Sequence, residues 1–132
     1  MISDLLITKL QHRFPNRGLR VGAPPDPCAV FPGVHPEVGD VIIMDDGEEL
    51  TLYAGKFTHG HFSNYEDNLT KEQKAVKIVE DVADFLEDLF ADRVILWGSH
   101  LGGGGWCKRD APLKLKSRSA KKNYVWSGPL NG

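Results

Sequence analysis

His59 and His61 stand two positions apart in the stretch Lys56-Phe57-Thr58-His59-Gly60-His61-Phe62. In an extended strand, residues i and i+2 point to the same side, so the two imidazoles share a face. Such a pair can bind zinc, copper or nickel, or hold and protonate a phosphate. A catalytic zinc takes a third protein ligand. His35, His100 or the acids near Glu66 would have to supply it, and no spacing requires them to. The plainer role is hydrogen bonding at a strand end or an exposed rim.

Carboxylates gather in two places. Asp45-Asp46-Gly47-Glu48-Glu49 packs four acids into five residues. The 12-residue spacing and closing glutamate of an EF-hand are missing, so this is not a calcium loop of that kind. The second group is Glu80, Asp81, Asp84, Glu87 and Asp88, with Asp92 just beyond. Glu80/Asp84 and Asp84/Asp88 are like-charge pairs at i,i+4 of a helix, each costing about a few tenths of a kcal/mol. The acids also crowd the helix C-terminus, where the macrodipole disfavours negative charge. A helix made only for stability places Lys or Arg there. A local rule broken without evident compensation points to a binding surface.

Cys28 and Cys107 are 79 positions apart and form no CxxC pair, so neither a zinc ribbon nor a redox motif is indicated. Two reduced thiols in a cytoplasmic protein are the expectation. Gly102-Gly103-Gly104-Gly105 lacks the GxxxxGK[ST] pattern of a phosphate loop and reads as a flexible loop. Trp106, between those glycines and a basic stretch, is the aromatic candidate for a contact residue, whereas Trp97 ends an apolar run and reads as core.

These residues need elements to position them. Ser3 is placed to cap a first helix whose Leu6, Leu10 and Phe14 recur every four residues, with Pro15 ending it. Gly-Ala-Pro-Pro-Asp-Pro at 22–27 is an extended connector. Cys28-Ala29-Val30-Phe31 is a short strand. Val41-Ile42-Ile43-Met44 is a β-branched run without alternation, expected to be covered on both faces. Asp46-Gly47 predicts a type I′ hairpin turn. Leu50, Leu52 and Ala54 then alternate with Thr51, Tyr53 and Gly55 on a returning strand expected to run on toward Phe62, with bulges or bends at Gly55 and Gly60. Thr70 and Gln73 form a capping box before a second helix, striped by Ala75, Val79, Val82, Leu86 and Leu89. Val94-Ile95-Leu96-Trp97 is a buried strand, and Tyr124-Val125-Trp126 a last edge strand. The predicted fold is α+β: a small, mainly antiparallel sheet with two helices on one face, in the order α-β-β-β-α-β plus the C-terminal edge strand.

That order resembles the core of the PD-(D/E)xK nucleases, over about residues 3–98. The resemblance implies an Asp near the start of the second strand and an acid-x-Lys on the third. Asp40 opens the 41–44 run, and Lys56 stands near the end of the next strand. Ala54 occupies the position of the acid, which removes a metal ligand. Asp45, Asp46, Glu48 and Glu49 lie at the far end of the hairpin and do not replace it.

Composition narrows the classes. With 132 residues, 41% hydrophobic and 26% charged, the chain is sized for one domain with a core. No apolar run approaches the roughly 20 residues of a membrane span, and Leu5-Leu6-Ile7 is too short for a signal-peptide core. The net charge of −2 hides an asymmetry. Residues 108–122 hold seven bases and one acid, whereas residues 1–107 hold nine bases and seventeen acids. A single α+β domain over 1–107 is expected, with 108–132 as a basic C-terminal segment able to pack on it. Nucleic-acid binding has only 108–122 and Trp106 in its favour, and the acidic body opposes it.

The expectation is a non-enzymatic, cytoplasmic interaction module without cofactor or stoichiometric metal. Its acidic helix and acidic hairpin tip, with Trp106, would bind a basic protein surface, as an inhibitor or immunity-type protein does. The alternative is a metal-dependent hydrolase or nuclease using His59 and His61 with nearby carboxylates.

Overall fold

The computed structural model describes residues 2–98, 104–109 and 123–130. His100, Gly102, Gly103 and most of the basic stretch, residues 110–122, lie outside the described residues.

The chain runs α1 (Ile2–Arg13), β1 (Arg20–Val21), β2 (Ala29–Phe31), β3 (Val41–Asp45), β4 (Leu50–Ala54), β5 (Thr58–Phe62), α2 (Lys71–Phe90), β6 (Val94–Gly98), β7 (Gly104–Lys108), β8 (Asn123–Val125) and β9 (Gly128–Pro129). The fold is α+β, with every strand pair antiparallel. The strands divide between two sheets rather than forming one: β1-β2-β3-β4-β5, and β7-β6-β8-β9.

The helices follow their apolar stripes. In α1 Leu6 and Leu10 are fully buried, and Phe14 continues their row just past its end. Ser3 lies inside the first turn, because the helix already runs from Ile2. Thr70 and Gln73 form the reciprocal capping box, with the Gln73 amide donating to Thr70 Oγ1 at 3.1 Å. Ala75, Val79, Val82, Leu86 and Leu89 all turn inward. These faces meet Phe31, Val41, Ile43, Leu50, Leu52 and Ala54 in the main core. Phe14, Phe31 and Phe90 close it at one end, edge to face at 5.1–5.9 Å.

Strand details depart from the periodicity. Val41 and Ile43 are buried, but Ile42 and Met44 are only half-covered, so β3 has one core face and not two. The loop between β3 and β4 is four residues long: Asp45 pairs with Leu50, and the Asp46 amide donates to the Glu49 carbonyl at 3.0 Å. Gly47 supplies positive φ there, at 94°. A two-residue type I′ turn needs positive φ at both positions, and Asp46 does not adopt it. The β4 strand does not run on to Phe62. The chain reverses at Gly55-Lys56-Phe57 into a separate β5, with Gly55 at φ 63° and no room for a β-carbon beside the Val38 carbonyl.

The second sheet holds the larger surprise. Gly104 and Gly105 belong to strand β7, not to a loop. A β-carbon on Gly104 would lie 2.0 Å from the Phe57 carbonyl oxygen, and one on Gly105 would lie 2.6 Å from the Trp97 ring. Glycine permits close approach here. Trp97 is half-buried and packs with Ile95, Cys107 and Val125. β8 is an interior strand, because β9 supplies the edge. Trp126 is 2% exposed and belongs to the main core, 5.1 Å from Phe90. No described helix is long and apolar enough to cross a membrane.

Candidate partner-binding site

At the β3–β4 loop, Asp45 Oδ1 accepts from the Gly47 amide at 2.8 Å, which fixes the turn. Asp46 accepts from the hydroxyl of Thr51, a residue only 3% exposed. Glu49 lies 3.6 Å from Nδ1 of His61. Glu48 projects into water and, among the described residues, meets Lys71 at 3.9 Å. Two of the four acids thus build the turn, Glu48 faces outward, and Glu49 is half-buried beside His61.

The loop forms one lip of a cleft of about 630 Å³. The other lip is the first turn of α2, carrying Lys71, Glu72 and Lys74. Ile2, Ala75 and Ile78, which belong to the main core, make the floor. Leu5 and Tyr65 stand at the mouth, 39% and 83% exposed. The charges around it are four acids, Asp46, Glu48, Glu49 and Glu72, against two lysines. Leu5 lies off the Leu6-Leu10-Phe14 row, so the stripe that buries those three leaves it at the surface. Tyr65 carried no periodic signal.

The acidic helix face is treated differently by the fold. Arg13 Nη2 donates to Glu87 at 2.6 Å, and Nη1 to Asp84 at 3.0 Å. Asp88 accepts from Arg93 at 2.9 Å and pairs with Lys108 at 3.1 Å. Hydrogen bonding from Lys108, then Arg93, holds the Asp88 carboxyl below the usual carboxylate range. The charges that the helix itself does not offset are therefore offset by α1, by Arg93 just before β6 and by β7. Glu80 and Asp81 are exposed and carry no ion pair among the described residues. Asp92 has a structural position. At φ 60° it ends the helix, and its carboxylate accepts from the Ser127 amide at 3.0 Å and from the Ser127 hydroxyl at 2.6 Å.

The two acidic groups do not merge. Glu48 meets the first turn of α2, and Asp88 lies in its last turn, about 25 Å away along the helix.

His59 and His61 share the outer face of the five-stranded sheet, cross-paired with Tyr53 and Thr51. Their rings are 5.4 Å apart, nearly perpendicular, and His61 Nδ1 is 3.0 Å from Thr51 Oγ1. Among the described residues, no group of three or more His, Cys, Asp or Glu side chains gathers to hold a metal ion. The nuclease-like positions do not assemble either. Asp40 accepts from the Gly33 amide at 2.7 Å, Ala54 is buried, and Lys56 sits in the turn after β4.

Trp106 lies on β7, 39% exposed, with its ring edge-on to Phe85 of α2 at 4.9 Å. It is on the flank of α2, away from the cleft lining. Both cysteines are buried thiols. Burial, and then the nearby charges of Asp45 and Asp46, push the Cys28 thiol up to about 11.

Comparison with protein-family models, with curated proteins and with solved structures returned no match to this chain.

Proposed function

We propose that this chain is a non-enzymatic binding module whose acidic hairpin tip engages a basic surface of a partner protein in the cytoplasm, in the manner of an inhibitor or immunity-type protein. One observation carries the reading. Glu48 faces outward beside an open cleft and half-buried Glu49 lines it; among the described residues, the ion-pair partners of these two acids are an exposed lysine at 3.9 Å and the His61 ring at 3.6 Å. The acids at the other end of α2 are already held by Arg13, Arg93 and Lys108, so they contribute less to an incoming cation. Exposed charges of this kind steer association more than they strengthen the final complex.

The test is anisotropy titration of a labelled lysine-rich peptide at low and high salt. The native chain should bind at low salt and release as salt rises. Glu48→Lys with Glu49→Lys should weaken binding by about tenfold or more, chiefly through slower association. Asp84→Asn should matter much less. Equal loss in both variants, or salt-independent binding, would remove the tip as the site.

A further inference from the structure

We infer that the cleft beside the hairpin tip takes a large apolar side chain carried on a basic segment. The recognised element is then a short stretch of a partner in which an aliphatic or aromatic residue is flanked by lysine or arginine. This rests on the reading of the tip as the partner-binding surface and names what that surface selects.

The floor decides the apolar part. Ile2, Ala75 and Ile78 are 4%, 8% and 2% exposed and belong to the main core, so they give the cleft a firm apolar floor of small area, and most of the apolar surface open to a guest is that of Leu5 and Tyr65. Above them Leu5 and Tyr65 leave large apolar surfaces in water. Covering such surface contributes about 25 cal/mol for each Å² removed from water. A volume of about 630 Å³ accepts a bulky side chain with room for its neighbours, inside the roughly 300–1,000 Å³ of ordinary ligand sites.

The rim decides the charge. The acids there outnumber the lysines, and the Glu48–Lys71 pair is loose and exposed on both sides. A guest cation can take the place of Lys71 at small cost, since exposed pairs contribute little. Its charge stays at the wet rim while its neighbour descends to the floor. A purely basic chain leaves the floor unfilled. An acidic chain meets the carboxylates of the tip.

The full chain is titrated with three labelled peptides: an oligolysine, the same peptide with a central Phe, and a Glu-flanked peptide with a central Phe. The Lys-flanked Phe peptide should bind about tenfold tighter than oligolysine, or about 1.4 kcal/mol. That advantage should vanish in Leu5→Asp and in Tyr65→Ala. Both residues are exposed, so melting temperatures should stay near that of the native chain. Equal affinity for oligolysine and the Lys-flanked Phe peptide overturns the cleft inference and leaves the acidic tip standing. Equal affinity for the two Phe peptides overturns it by removing the charge preference. Failure of both lysine peptides to bind ends the tip reading and this inference together.

Discussion

Arg13 and Glu87 lie 74 positions apart in the chain and meet at 2.6 Å across the α1–α2 contact. The same guanidinium reaches Asp84 at 3.0 Å. One cation at the C-terminal end of α1 thereby answers two carboxylates on α2. Arg13→Ala should lower stability by roughly 1 kcal/mol, since the acids are exposed and such pairs are modest. A denaturant melt measures this. In a double-mutant cycle with Glu87→Ala, a coupling near zero would show that packing of the Arg13 stem, and not the pair, carries the loss.

Asp88 predicts an acid-limb effect. Its carboxyl ionises below the usual range because Lys108 and Arg93 hold the charged form. A depressed folded pKa means that the unfolded chain takes up the proton first as pH falls. The contribution is therefore complete above roughly pH 5, begins to fade near the unfolded value of about 3.9, and is gone below the folded value. Asp88→Asn should lower stability at neutral pH and flatten this part of the pH profile. Thermal melts from neutral to acidic pH decide it, and an unchanged acid limb would count against the pairing.

Cys28 predicts the opposite limb. Its thiol donates to the Ile43 carbonyl at 3.4 Å, and its pKa stands at about 11. The unfolded thiol ionises near 8.5. Stability from this group is present below that value and declines as pH rises toward 11. In the folded protein, iodoacetamide should modify Cys28 at least about a hundredfold more slowly than in the unfolded chain at mildly alkaline pH. Peptide mapping by mass spectrometry reads the rate at this residue alone.

Asp92 joins a backbone requirement to a side-chain requirement. Its φ of 60° suits Asn, Asp or Gly, and its carboxylate holds both Ser127 donors. Asp92→Asn should be the mildest change. Asp92→Gly should cost about 1–2 kcal/mol by losing the bonds, and Asp92→Ala about 2–3 kcal/mol by adding backbone strain. If urea melts rank Gly below Ala, the side-chain bonds and the left-handed backbone are not both at work.

Local signals were legible where neighbours in sequence are neighbours in space. Thr70 and Gln73 are three apart and close the same helical turn, so the capping box and the α2 stripe could be read directly. The β3–β4 pairing followed from the β-branched run, the Asp46-Gly47 turn signal and alternation on the returning strand, but the loop length did not, because Asp46 hydrogen-bonds Thr51 and the Asp46 amide reaches Glu49. Strand β7 was hidden. Four glycines carry no side-chain pattern, and the reason for two of them is the close approach of the Phe57 carbonyl and the Trp97 ring, on residues far away in the chain or on the facing strand. The acidic face of α2 was visible as a broken rule, but its compensation by Arg13 and Lys108 depends on tertiary contacts that no window around residue 84 contains. The acids Glu48 and Glu49 were visible by type. The cleft beside them was not, since its floor is assembled from both helices.

Trp126 stands against Phe90, 36 positions after it, and with Tyr124 completes a core otherwise made, among the described residues, by residues 2–96. During translation both helices and all five strands of the first sheet leave the ribosome before that ring does. Until it arrives, Phe90 lacks one neighbour, and β6 lacks the strand that pairs beside Leu96 and Trp97. A chain that stops short of residue 126 therefore leaves part of the Phe90 ring and one edge of β6 uncovered. Truncation before Trp126 should raise aggregation relative to the full chain, read by light scattering.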